Sequence, residues 1–278
     1  MSDLHFEFHQ DGGEEFIKQL DPTGVDILVL AGDICPVVSH GKKHDKAFEA
    51  FSEKYKNIVY VLGNHEYYGA IFESVRQRLQ RTKRKNVHVL QNESLLVDGV
   101  QFYGGTMWFS EPTDPMVELS KRYLRDFTSI KDAEPNIYKE NVDFTNKYPL
   151  LVKESSVVVT HHLPSSRSTP SRFKHSSLNP FFVFNMEERI AQAPIPQLWI
   201  HGHTHDPIDY KLEVGDPNDL CYNCGESRTW DGCSTNGCGE YRGYVRVVAM
   251  PLGYPGEQSN LSFNDKLIIS VNESWNVP

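Results

Sequence analysis

The 278-residue chain has no apolar run near the roughly 18 residues that a membrane-crossing helix needs. Its opening, MSDLHFEFHQDGGEEF, is acidic and lacks the charged-then-apolar pattern of a secretory leader, so a soluble, cytoplasmic protein with no membrane partner is expected. Excess positive charge is also lacking. Lys and Arg number 28 against 37 Asp and Glu, a net charge of −9 that argues against a general nucleic-acid coat, since such proteins gain affinity by releasing counterions. A local basic patch, and with it nucleic acid as a partner, stays open. Internal repeats and low-complexity tracts are absent, and 39% hydrophobic with 23% charged residues is an ordinary globular balance. Residues 1–278 are expected to form a single domain, a length that allows a substantial core.

Two residue types stand out instead. There are 12 histidines, and four of the five cysteines fall between Cys221 and Cys238, so metal chemistry is the first thing to test.

Short β-branched runs recur at 25–31, 57–62, 156–160 and 197–200, each ending in glycine or a polar residue. Continuous apolar runs of that length, separated by helical stretches, suit the buried strands of an α/β sheet. Lys46 to Phe51 has helical spacing. Ile71 to Arg84 places Ile71, Val75 and Leu79 on one face with basic residues opposite. A turn at Asp98-Gly99 predicts a hairpin whose second arm continues through Phe102 to Phe109. Residues 110–150 are charged, aromatic and punctuated by four prolines, with a helix expected over Val117 to Phe127, and read as a helical cap insertion.

Five polar clusters follow these runs or open loops: Asp3-Leu4-His5, Gly32-Asp33, Gly63-Asn64-His65-Glu66, His161-His162 and Gly202-His203-Thr204-His205. Alone, each has a plainer explanation: Gly-Asp as a turn, His-x-His as surface, Gly-Asn-His-Glu as a helix N-cap. Together they sit where the carboxyl ends of strands form a ligand crevice. Carboxylate, imidazole and amide oxygen suit Mn²⁺, Fe²⁺ or Zn²⁺ better than Ca²⁺ or Cu⁺. Seven such ligands are too many for one tetrahedral zinc and suit two ions sharing a carboxylate.

This order, D-x-H, G-D, G-N-H-E, H, G-H-x-H, resembles the calcineurin-like metallophosphoesterase superfamily across residues 3–205, and the segment 250–257 resembles that family's last strand-end loop. The resemblance implies an α/β fold, a four-layer αββα sandwich of two mixed sheets with a dimetal centre at the strand ends. It places Asp3, His5 and His205 on the first metal and Asn64, His161 and His203 on the second, with Asp33 bridging. It gives His65 the position of a general acid, with Asp33 and Asn64 beside it in the catalytic group, and leaves His162 behind the ligands, where it is also a candidate for substrate binding. Phosphodiester hydrolysis of a nucleotide or other small ester is the first expectation. A phosphomonoesterase, or a scaffold or nucleic-acid-binding protein with a vestigial metal site, is the alternative. Only Met1 and Ser2 precede Asp3, so either the native chain begins upstream or most of the family's first strand is missing; the second case predicts a fraying terminus and a first site weaker than the second.

Arg167 and Arg172 are candidates for a phosphate oxygen, by their fork geometry. Tyr67, Tyr68 and Trp108 are candidates for a pocket around the leaving group, with core packing as the equal alternative. Glu66 either orients a neighbouring group or is a solvated carboxylate at a helix start. Cys35 reads as a small buried residue. Cys221, Cys224, Cys233 and Cys238 lie in a stretch, 215–242, rich in turn formers and nearly devoid of aliphatic residues. Four thiolates in two close pairs fit one structural Zn²⁺, whose binding supplies folding energy that burial cannot. Two disulfides are the competing reading and need an oxidising compartment. The basic run Arg76 to Lys85 reads as a solvated helix face.

Overall fold

The computed structural model describes residues 1–215, 241–257 and 263–271. The four proposed zinc cysteines, Cys221, Cys224, Cys233 and Cys238, lie outside the described residues.

Nine strands form two sheets among the described residues. The smaller contains β1 (Ile27–Ala31), β2 (Asn57–Val61) and β3 (Val87–Leu90), all parallel in the order β1-β2-β3. The larger contains β4 (Glu93–Val97), β5 (Val100–Gly105), β6 (Val157–Thr160), β7 (Leu198–His201), β8 (Ile208–Gly215) and β9 (Tyr241–Ala249). Its order is β4-β5-β6-β7-β9-β8, with antiparallel pairs at the two edges and parallel pairs between them.

Three apolar layers explain the stacking. Leu28, Leu30, Ile58 and Tyr60 face the helices α1 (Glu14–Gln19), α2 (Gly41–Lys54) and α3 (Phe72–Arg81) through Ile17, Phe48, Phe51 and Val75. Ala31, Val59 and Val61 on the opposite face meet Phe102, Val157, Val159 and Val248 of the larger sheet. That sheet's other side, with Tyr103, Val158, Trp199 and Val247, is covered by α6 (Ala133–Leu151) and α7 (Glu187–Gln192). Alternation along strands with period two and spacing of three or four along helices therefore yield helix, sheet, sheet, helix. The remaining described helices are α4 (Pro115–Ser120) and α5 (Arg125–Ser129).

Several boundaries differ from expectation. Phe72, not Ile71, takes the buried position at the start of α3, because burial follows Phe72-Val75-Leu79; Ile71 is the N-cap and 38% exposed. β5 stops at Gly105, where Met107 turns the chain with a φ of 50°. The helix expected over 117–127 is broken at Leu124, which is extended. Within the remainder of that region, α6 sends Ile137, Phe144 and Tyr148 into the cores.

The first residues are not frayed. Ala31 N–H donates to the Met1 carbonyl at 2.9 Å and Ser2 N–H donates to Met250 O at 3.2 Å, so this segment bridges the two sheets between β1 and β9. Asp3 is fully buried, which removes the reason for expecting a weak first site.

Candidate metal centre

The clusters converge at the carboxyl ends of β1, β2, β6, β7 and β9. Parallel strands leave their carboxyl ends together, so loops distant in sequence meet there. The backbone is bent hard to achieve it. Asp3, His5, Asp33, His203 and His205 all have positive φ, between 47° and 79°. Each left-handed non-glycine residue costs about 1–2 kcal/mol, a strain that persists where surrounding contacts over-determine it, as at functional sites.

The glycines make room for this. A Cβ on Gly63 would stand 2.1 Å from Asp33 Oδ1, on Gly32 2.5 Å from His161 Nδ1, and on Gly202 2.7 Å from Asp3 Oδ2. Each motif glycine thus vacates the space that a candidate ligand occupies.

Three groups of possible ligand atoms result: Asp3, His5 and His205; Asp33, His161 and His203; and His5, Glu7 and His65. The first two coincide with the motif residues. Asp33 Oδ2 lies 3.4 Å from His161 Nε2 and 3.8 Å from His5 Nε2, between the two groups. Asn64 Oδ1 joins the second group, 3.1 Å from His161 Nε2.

Hydrogen bonds fix which atom of each side chain faces inward. The Nδ1 of His161 is 2.9 Å from the Ala31 carbonyl, and the Nδ1 of His205 is 2.6 Å from Glu257 Oε2. Asn64 Nδ2 donates to Asp126 Oδ1 and to the Tyr68 hydroxyl, both at 2.9 Å, which turns the amide oxygen toward the second group. Asp33 Oδ1 accepts the His65 N–H at 2.9 Å, leaving Oδ2 free. Outer partners of this kind orient ligands and raise their basicity.

The residues fit a pair of divalent cations. Atoms that share one ion at about 2.1 Å stand roughly 3.0–3.4 Å apart, and here His5 Nε2 is 3.0 Å from His205 Nε2 and His203 Nδ1 is 3.2 Å from His161 Nε2. The cluster attracts positive charge: burial opposes ionisation of His161, yet the Asp33 carboxylate outweighs it and pushes that imidazole up to about 10. Burial, reinforced by His162 and His161, holds His203 neutral well below the ordinary histidine range, so one ring nitrogen offers its lone pair for binding.

His65 lies outside the two motif groups, in the third, with His5 and Glu7. Its Nδ1 is 2.7 Å from Glu7 Oε1, its Nε2 is 3.2 Å from the Tyr254 hydroxyl, and Nε2 also lies 3.9 Å from Asp33 Oδ2. Burial lowers its basicity, but the Asp33 charge and the Glu7 hydrogen bond prevail and raise its pKa above the ordinary value. Glu7 also lies 3.3 Å from His5 Nδ1, so one carboxylate serves a candidate ligand and the candidate acid.

Glu66 is not solvated. It is fully buried and accepts N–H bonds from Asp33, Ile34 and Gly63 at 2.7–2.9 Å and the Tyr60 hydroxyl at 2.8 Å, tying the two glycine loops together. Cys35 is likewise fully buried, and burial pushes its thiol up.

A cavity of about 400 Å³ opens from Asp33, Asn64, His65, His203 and His205. Leu124, Leu163, Phe173, Leu178 and Phe182 supply apolar wall, with Tyr68 at the near side. Arg172 lines it, with Nη1 donating to Asp206 Oδ1 at 2.7 Å. Arg167 is exposed and absent from the lining. His162 is fully buried behind His203, ring centroids 4.3 Å apart, and does not line the cavity. Tyr67 and Trp108 are core residues, 3% and 0% exposed.

The motifs assigned no role to Glu7, Asp126, Tyr254 or Glu257. Glu7 had a signal, lying two residues beyond His5 in an alternating His-x-Glu pattern. Asp126 had none, because it reaches Asn64 across 62 residues.

Comparison with known proteins agrees with this geometry. Residues 1–207 match the family described as calcineurin-like phosphoesterase, and the chain belongs to that family, whose members are metal-dependent phosphoester hydrolases. An uncharacterized protein of Acanthamoeba polyphaga mimivirus, L509, is 29% identical over 240 residues, covering 74% of this chain and 83% of that protein. Among solved structures, the phosphopantetheinyl hydrolase PptH of Mycobacterium tuberculosis superposes with a TM-score of 0.64 at 14% identity, covering 92% of this chain and 88% of the other. TT1561 of Thermus thermophilus gives a TM-score of 0.52 at 12% identity, covering 90% and 87%. These two show a shared fold.

Proposed function

We propose that this protein is a dimetal phosphodiesterase that cleaves a small phosphodiester carrying an apolar or aromatic group. The observation that carries the reading is the junction of the seven ligand side chains with His65 at the mouth of a cavity whose wall is largely apolar. A diester brings one negative charge and two organic groups. The cavity suits that: apart from its histidines, the cationic side chains among the described lining residues are Arg125 and Arg172, and Arg172 is already paired with Asp206.

Asp3, His5, His205 and Asp33 would hold one divalent ion, and Asn64, His161, His203 and Asp33 the other. Such a pair lowers the pKa of a water and offsets charge on phosphoryl oxygens. The chain's own contribution lies in positioning and proton transfer. Glu7 accepts the Nδ1–H of His65, so in the protonated ring Nε2–H is the donor facing the cavity. The raised pKa favours the protonated ring, which can give that proton to the leaving oxygen. Tyr254, 3.2 Å away, restrains Nε2 until a substrate replaces it. Glu66 holds the Asp33 and Gly63 loops in register throughout.

Manganese is our first choice for loading, since nitrogen and oxygen ligands without thiolate accept it. The cysteine segment belongs to the same reading as a structural Zn²⁺ knuckle in a reducing, cytoplasmic setting; one zinc per chain that disappears in Cys221→Ser/Cys224→Ser supports it, and oxidised cysteines without zinc refute it. The substrate preference is tested by initial rates on bis-p-nitrophenyl phosphate and p-nitrophenyl phosphate in parallel, with Asp33→Asn as control. Faster diester cleavage that the substitution abolishes is expected. Faster monoester cleavage moves the assignment to a phosphatase.

A further inference from the structure

A second cavity, also about 400 Å³, lies away from the metal centre between α2, α3 and the outer edge of the smaller sheet. It makes use of the basic run that the catalytic reading left unexplained. Arg76, Lys83 and Arg84 line it against a single acid, Glu93, in a protein whose net charge is −9. Arg76 is paired with Glu140. Arg84 instead donates to two neutral carbonyls, Asp45 O at 2.7 Å and Thr82 O at 3.2 Å, and hydrogen-bonds no carboxylate, although the Asp45 charge lies within its field. Lys83 is exposed and has no ion-pair partner among the described residues.

The inner wall holds a polar group with nothing to bind. His44 is 2% exposed, and neither of its ring nitrogens has a hydrogen-bond partner among the described residues. Asp45 Oδ1 stands 3.7 Å from Nδ1, beyond hydrogen-bond reach. Burial holds the ring neutral, so it offers one donor and one acceptor. Leaving a buried donor and acceptor unsatisfied is unfavourable, a deficit that a ligand with a polar edge removes. The imidazole lies flat on Phe48, centroids 4.5 Å apart at 27°. Leu79, Val87 and Val89 complete an apolar wall beside β3, whose outer edge has no strand partner among the described residues.

We infer that this cavity is a second ligand site, for a phosphorylated aromatic molecule of nucleoside-monophosphate size. Its phosphate sits on Lys83 and Arg84 at the rim, and its flat body lies against Leu79 and Val87 with its polar edge toward His44. The volume falls within the range of small-molecule sites, about 300–1,000 Å³, and an inorganic anion alone would leave the apolar wall and His44 uncovered.

The test uses the full chain stripped of metal, so that the metal centre does not compete for phosphate. Adenosine 5′-monophosphate is titrated calorimetrically, and hydrogen exchange locates the protected amides. One equivalent is expected to bind, with protection at 79–95. Lys83→Glu, at an exposed position, reverses the rim charge, and Leu79→Trp fills the cavity; each is expected to weaken binding at least tenfold without changing hydrolysis of bis-p-nitrophenyl phosphate by the metal-loaded enzyme. Absence of binding at millimolar nucleotide, protection confined to 161–182, or wild-type affinity in Lys83→Glu would each overturn the inference.

Discussion

Gly63→Ala isolates the demand that the metal centre places on one backbone position. A Cβ there meets Asp33 Oδ1 at 2.1 Å, Asp33 N at 2.6 Å and Asp33 Cγ at 2.8 Å, where real Cβ contacts begin near 3.0 Å. The Asp33 carboxylate must therefore retreat by about 0.9 Å, the difference between the closest of these contacts and that limit. It cannot rotate away freely, because Oδ1 holds the His65 N–H and the Asp33 N–H is held by Glu66. Displacement of a reacting group by about 1 Å costs on the order of 10²-fold in rate, and overpacking a filled core costs about 1–3 kcal/mol. At roughly 2 °C per kcal/mol for a chain of this size, the melting temperature falls by roughly 2–6 °C. Gly24→Ala is the control: its φ is +76°, but the nearest atom to the added Cβ is Ile268 Cδ1 at 3.9 Å, so strain acts there without intrusion. It is expected to cost about 1 kcal/mol and leave the rate unchanged. Rates on bis-p-nitrophenyl phosphate, melting curves and bound-metal counts are compared for the three proteins. A Gly63→Ala enzyme within twofold of the wild-type rate and with two ions bound would refute the reasoning.

Other outcomes follow from the supporting residues. His65→Asn should cost alkyl diesters far more rate than p-nitrophenyl diesters, because nitrophenolate leaves without a proton; equal losses would deny His65 the role of acid. Since the Asp33 charge and the Glu7 bond raise the His65 pKa, activity on an alkyl diester should decline as pH rises through a value above that of an ordinary histidine. Glu7→Gln removes the negative charge, so the falling limb of kcat/KM should move to lower pH; an unmoved limb contradicts the hydrogen bond's role. Asp126→Ala frees the Asn64 amide to rotate and should weaken one of the two metal equivalents by about 10–100-fold in a titration.

Strand positions and the ligand motifs were legible because both depend on local pattern. A run such as Val157–Thr160 is apolar on nearly every residue since both its faces are buried, and the motif after it must lie at the crevice. Helix edges were less legible: nothing local separates Ile71 from Phe72, and burial against Tyr67 and Trp108 decides in favour of Phe72. The groups that aim the ligands were least legible. Asp126, Glu257 and Tyr254 act through contacts made across 52 to 189 residues, and a side chain that supports another carries no spacing rule of its own. Trp108 and Tyr67 show the converse, since aromatic residues beside a motif serve as pocket or core and only the packing tells which.

Stepwise metal restoration tests the central claim most directly. The chain is stripped with chelator and titrated with Mn²⁺, while bound ions are counted and hydrolysis of bis-p-nitrophenyl phosphate is followed in the same samples. Activity should be absent from the stripped protein and reach its plateau with the second equivalent, and Asp33→Asn should hold fewer ions and recover no rate. Hydrolysis that survives stripping, or an Asp33→Asn protein that binds two equivalents and turns over normally, would contradict a dimetal centre bridged by Asp33.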